Sequence, residues 1–283
     1  MIKLVGFIIV ISSVLGGYVL SHGELLTLWQ PFELLIIAGS ALGAFVVANP
    51  LHVVADVGRS LGRSFIGRRH GQALYMDLLS LLYELFNKAR RNGLMSIEED
   101  VEEPKSSDIF ERYPRILEEH ILLEFICDYL RIISSGNLSA FELETLMDQD
   151  IETSDQEAEQ PAPALGRVSD ALPGFGIVAA VMGIVITMKS LGGPPEELGT
   201  HVAAALVGTF LGILLAYGFV GPLSNALEHE AKERMKALEC AKTAILAMVN
   251  GIPPQLAVEF GRKTLFSSER PSFTALEDHL RGR

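Results

Sequence analysis

The stretch LPGFGIVAAVMGIVITM, residues 172–188, decides the fold class. No side chain in it can carry a charge. At about 1.5 Å per helical residue it is long enough to cross a hydrocarbon core of roughly 30 Å. It opens on Pro173 and is filled with Gly and Ala, where a lipid-facing helix favours Leu and Phe. Three further stretches share its character. Leu4–Leu20, Phe32–Ala48 and Val202–Leu223 hold one charge between them, Glu33, at an end. A charge at mid-bilayer costs about 2.5–3.5 kcal/mol on insertion scales, so this segregation reads as four membrane spans.

The first stretch has a short basic start at Lys3 but no Ala-x-Ala site after it, so it reads as a retained span rather than a cleaved signal. Lys and Arg set the orientation. Residues 21–31 contain none, and residues 189–201 contain only Lys189. Arg59, Arg63, Arg68 and Arg69 follow span two, Arg167 precedes span three, and Lys232, Arg234 and Lys236 follow span four. By the positive-inside rule both termini and the long middle segment are expected in the cytoplasm. The net charge of −12 comes mostly from that segment and argues against a nucleic-acid partner. Cys127 and Cys240 are far apart and form no CxxC, so they read as reduced, buried thiols.

The expected plan is therefore all-α: a four-span integral membrane protein with a helical cytoplasmic domain and a helical cytoplasmic tail. Residues 1–50 form a transmembrane hairpin, with spans at 4–20 and 32–48. Residues 51–170 form the domain between spans two and three. Residues 171–225 form a second hairpin, with spans at 171–188 and 202–223, and residues 226–283 form the tail. In Gln72–Asn92, Leu74, Leu78, Leu81, Leu82 and Leu85 recur at helical spacing, with Asp77, Ser80, Glu84 and Lys88 opposite. Gly93 is placed to cap that helix. Pro114 opens the next, and Gly136 ends it. Ser139-Ala-Phe-Glu142 is a capping box for a third, running to about Glu159, before Pro161 and Pro163 break the chain.

The sequence holds no Gly-rich phosphate loop, HExxH, GxSxG or His/Cys cluster, so neither enzyme nor cofactor or metal is indicated. The spans carry the remaining information. Transport proteins usually place an ionisable side chain inside the membrane, and no span interior has one. Spans three and four are instead rich in small residues, with hydroxyls at Thr187, Thr209 and Tyr217. Gly208-x-x-x-Gly212 fits close helix approach. Packing within one subunit explains these residues. So does a passage lined by them whose titrating group comes from elsewhere. Pro173 and Pro222, at the cytoplasmic span ends, are either hinges or helix punctuation.

Ordered matches run along the whole chain: QPFELLIIAGSALGAF, YMDLLSLLYELFNKAR, DYLRIISSG, FELETLMDQDIET, LPGFGIVAAVMGIV, LVGTFLGILLAYGFVGPL and AVEFGRKTLFSSERPSF. Through them the chain resembles the MotA family of flagellar motor stator subunits, in the MotA/TolQ/ExbB proton channel superfamily. The resemblance implies a ring of five copies around two chains of a peptidoglycan-anchored MotB-type partner in the bacterial cytoplasmic (inner) membrane. The partner's Asp carries the proton. Pro173 and Pro222 match the family's two channel-flanking prolines. Arg90 and Glu98 match the pair that contacts the rotor protein FliG. Sodium-driven relatives carry hydroxyls at two channel positions that here hold Ala180 and Gly208, with Thr209 the nearest matching hydroxyl. Protons are therefore expected. A sodium-driven stator and an ExbB/TolQ-like transducer are the alternatives. The usual three spans of ExbB/TolQ, and their lack of the GRKTLFSSERPSF-type tail, speak against the latter.

Overall fold

The computed structural model describes residues 2–66, 71–136, 138–189, 192 and 194–281. Arg68 and Arg69, used above for orientation, lie outside them. All regular structure among the described residues is helical. The order is α1 (Ile2–Leu20), α2 (Pro31–Ala48), α3 (Leu51–Ile66), α4 (Gln72–Asn92), α5 (Glu98–Glu102), α6 (Pro114–Glu118), α7 (His120–Ser135), α8 (Ala140–Glu159), α9 (Pro161–Lys189), α10 (Pro195–Leu215), α11 (Gly221–Val249), α12 (Pro254–Thr264) and α13 (Phe273–Arg281). A five-residue π turn, Ala216–Val220, separates α10 from α11. Four helical stretches are long and apolar enough to cross a membrane, contributed by α1, α2, α9 and the α10–α11 run.

Two compact units form. The first is Met1–Gly67 with Glu159–His229, and the second is Arg68–Ala158 with Glu230–Arg283. In the first, α2 buries Ile37 and Ala41 with Leu172, Ala179 and Ala216. Helix α3 carries Val53 and Val57 on one face, buried with Ala164, Leu165 and Leu227, while Arg59 and Arg63 are exposed. This amphipathic helix thus groups with the apolar ones, although the chain order places it at the start of the middle segment. Helix α1 has no buried residue and is tied through Phe7, whose ring lies 5.2 Å from Phe219 and 6.4 Å from Phe65.

The second unit is built around α4. Leu74, Leu78, Leu81, Leu82 and Leu85 are fully buried, as the spacing requires. The opposite face is covered too, which the amphipathic pattern does not announce. Asp77 and Ser80 are buried, and Asp77 pairs with Arg115 at 2.7 Å. Glu84 accepts from the Tyr113 hydroxyl at 2.7 Å and pairs with Arg112 at 2.5 Å. Lys88 pairs with buried Asp100 at 2.6 Å. The cover is α5 and the 104–119 segment of short helical turns. Its ion pairs replace the water that a charged helix face would otherwise need.

Local signals set the ends. Ser139 and Glu142 exchange the reciprocal bonds of a capping box: Ser139 N donates to Glu142 Oε2 at 2.9 Å, and Glu142 N to Ser139 Oγ at 3.3 Å. Gly93 and Gly136 take positive φ at the ends of α4 and α7. Pro161 opens α9 one residue after α8 closes. In the tail, Arg262 grips Glu259 through two 2.6 Å bonds and donates to the Pro271 carbonyl at 2.7 Å. Arg270 donates to the Leu265 carbonyl at 2.8 Å. The GRKTLFSSERP run is thus a fold of its own making, held by arginine on backbone.

Candidate functional site

The small residues of spans three and four first of all let α9 and α10 touch. A Cβ placed on Gly212 would lie 2.7 Å from the Leu172 carbonyl oxygen and 2.9 Å from Gly176 Cα. One on Gly176 would lie 3.0 Å from the Gly208 carbonyl oxygen, and one on Gly183 would meet Ala205 at 3.0 Å. No side chain larger than hydrogen fits at Gly212 unless backbone moves. Such contact recovers dispersion energy where the hydrophobic effect between helices is absent. Packing within the subunit therefore accounts for Gly176, Gly208 and Gly212.

The seam ends at an irregular zone. Pro173 lies inside α9 and has no N–H for the Ser169 carbonyl one turn earlier. The Ser169 hydroxyl, buried, donates across to the Ala216 carbonyl at 2.9 Å. Ala216 is the first residue of the π turn, and its carbonyl also accepts the Gly221 N–H, one residue beyond the α register. Pro222 follows at once. Below it the buried Ser224 hydroxyl donates to the Ala162 carbonyl at 2.7 Å. Two hydroxyl bridges thus bracket Pro222 and the π turn, a form of helix irregularity frequent at functional sites, with Pro173 one turn beyond the Ser169 bridge. Neither serine stands out in the sequence: a lone hydroxyl near a proline is a weak signal.

The residues named from the sequence separate into three places. Ala180 and Gly208 meet across the seam, with the Gly208 Cβ position 3.3 Å from the Ala180 nitrogen. Thr209 is half-buried, and Tyr217 is 67% exposed. With Val202, Leu206 and Ile213, these two recur at helical spacing and form one accessible stripe of span four. Pro222 is exposed and Pro173 half-buried. Arg90, in the last turn of α4, and Glu98, the first residue of α5, are both exposed. Neither has an ion-pair or hydrogen-bond partner among the described residues, whereas Lys88, Arg112, Arg115 and Arg131 around them are all paired. Burial pushes the Cys127 thiol up to about 12, which keeps it protonated and unreactive. The described residues contain no His, Cys, Asp or Glu group arranged for a metal.

The motility protein A N-terminal family model matches residues 4–93, and the MotA/TolQ/ExbB proton channel family model matches residues 117–240. Over 281 residues the chain is 51% identical to motility protein A of Salmonella typhimurium, covering 99% of this chain and 95% of that one. The chain belongs to the motility protein A family. Its 117–240 region falls within a proton channel family. The chemotaxis protein LafT of Vibrio parahaemolyticus is 40% identical over 278 residues, covering 98% of each. Among solved structures, C. jejuni MotAB superposes with a TM-score of 0.80 at 20% identity, over 95% of this chain and 98% of that one. The flagellar MotAB stator complex of Bacillus subtilis gives 0.75 at 23%, over 99% and 98%. These two share the fold of a multi-pass, all-helical motility protein A. The match of the N-terminal model over spans one and two also sets the chain apart from a three-span transducer.

Proposed function

We propose that this chain lines one side of a proton path whose titrating acid is an Asp of a MotB-type partner. One observation carries the reading. Residues 172–188 and 202–223 contain no ionisable Asp, Glu, His, Lys or Arg. The seam between their helices is closed by backbone contact. A proton crossing the membrane needs a group to hold it, and that group must come from outside this chain. Thr209 and Tyr217 on the accessible stripe supply the hydroxyls that would face it. Ala180 and Gly208 offer no side-chain oxygen with which to strip water from sodium, which favours protons.

In this reading several copies ring the partner in the cytoplasmic (inner) membrane, with both termini and the α4-centred unit on the cytoplasmic side. Protonation of the partner's Asp shifts the zone around Pro173 and Pro222. The helical unit then pushes on the rotor protein FliG through Arg90 and Glu98. Exposed ion pairs are worth about 0–1 kcal/mol each, suited to a contact that must form and release on every step.

The test is motility of a non-swimming strain given this chain and its partner. Pro173→Ala should stop swimming without lowering membrane levels, and Arg90→Glu should stop it until an opposing FliG charge is reversed. A protonophore should halt rotation. Proton leak from this chain alone, or sodium-dependent swimming that ignores the protonophore, overturns the proton path.

A further inference from the structure

The α4-centred unit holds a groove of about 430 Å³. It lies where α4, α7 and α11 end, and Phe86, Ala89, Leu138 and Ile252 are among its walls. Among the described residues Arg90 is the only charged side chain lining it. The apolar surface continues past the mouth: Leu94, Met95 and Leu138 are all exposed. An exposed apolar patch on an otherwise charged, paired surface marks a contact site.

Three backbone N–H groups around the groove are already bonded within the fold. Ile252 N donates to the Ala247 carbonyl at 3.1 Å, Gly251 N to Met248 at 2.9 Å, and Gly136 N to Ile133 at 3.1 Å. Gly136 and Gly251 both hold positive φ and fix the turns that frame it. Its side-chain lining is apolar apart from one cation, Arg90, that has no ion-pair partner among the described residues. The matching ligand is an apolar side chain with a carboxylate within reach of Arg90. Aromatic and aliphatic anchors seated in such pockets carry most of the energy of small interfaces.

We infer that this groove seats one large apolar side chain of an acidic segment of the rotor protein, whose carboxylate pairs with Arg90. This rests on the rotor-contact reading above and adds the apolar anchor to it. Exposed charge pairs are weakened by salt, and an apolar anchor is not. An anchor beside the charge pair gives the contact direction without making it permanent.

The experiment uses the full stator in swimming cells. Leu138→Trp blocks the mouth from an exposed position, outside the core. Stator units per motor, counted by fluorescence, should fall roughly tenfold, as for loss of a hot-spot anchor. Membrane level and co-purification with the partner should stay unchanged. A benzoylphenylalanine photocrosslinker at Leu138 or Met95 should give a covalent adduct with the rotor protein, and Arg90→Glu should abolish that adduct. If Leu138→Trp lowers protein levels, the crosslink alone decides. Wild-type swimming of Leu138→Trp together with no rotor adduct overturns the groove. If Arg90→Glu still fails in those cells, the charge reading survives it. An adduct with a second copy of this chain also overturns the proposal and makes the groove an interface between copies. Wild-type swimming of both Arg90→Glu and Glu98→Lys, by contrast, removes the rotor-contact reading itself.

Discussion

Two regions of this molecule are held together by opposite means. The seam of α9 and α10 is made of what is missing: at Gly176, Gly208 and Gly212 the backbones meet because no side chain intervenes. The core around α4 is made of what is present: leucines and aromatic rings on one face of the helix, and ion pairs on the other. In a bilayer, burying an apolar side chain gains little, so contact area must come from close approach. In water the same burial is the main driving force. The two regions should therefore fail in opposite directions, one when a side chain is enlarged and the other when one is cut back.

The largest effect is expected at Gly212. Gly212→Val places side-chain atoms against the Leu172 carbonyl, so the hairpin must open. Swimming and detergent-stable protein should both be lost. Gly174, in the same run, has nothing within 4 Å of its Cβ position, and Gly174→Ala should leave protein levels unchanged. Equal behaviour of the two variants would break the contrast. Next comes Leu82→Ala, which should cost about 2–5 kcal/mol by emptying a buried site. It should show as a lower melting temperature of the purified complex, while Leu82→Met should cost far less.

A smaller effect is expected where the two regimes mix, at the Ser169 bridge. Ser169→Ala removes one buried donor, but the Ala216 carbonyl keeps its bond from Gly221. The loss should be about 0.5–1.5 kcal/mol, with Ser169→Thr largely neutral by the same thermal measurement. A loss as large as that of Leu82→Ala would mean that the bridge, not the glycines, sets the seam. The smallest effect is at Cys127. Because burial raises its thiol, iodoacetamide at pH 8 should leave it unlabelled in the folded protein and label it after denaturation.

The sequence makes the spans, the helix ends at Gly93 and Gly136, and the Ser139–Glu142 box legible, because each rests on local or periodic chemistry. The burial of the polar face of α4 is not legible. It depends on Tyr113, Arg112 and Arg115, which sit in short turns without periodicity, 28 to 38 residues away along the chain from their partners. The site divides the same way. The lack of ionisable side chains in spans three and four can be read directly, and so can the abundance of glycine. Which glycines meet which is a property of the folded pair. Ser169 and Ser224 escaped because a lone hydroxyl carries no pattern. The roles of Arg90 and Glu98 rest on family resemblance, and the structure adds that both charges stand exposed and unpaired.

The π turn at Ala216–Val220 has a consequence beyond its hydrogen bonds. It adds one residue to a helical turn, and one residue is about 100° of rotation. It therefore acts as a phase setter for everything downstream in α11. Winding the same residues as regular α-helix would swing Ser224 round the helix, away from Ala162. The chain would keep its composition, its hydropathy and both prolines, yet every side chain after the turn would point the wrong way.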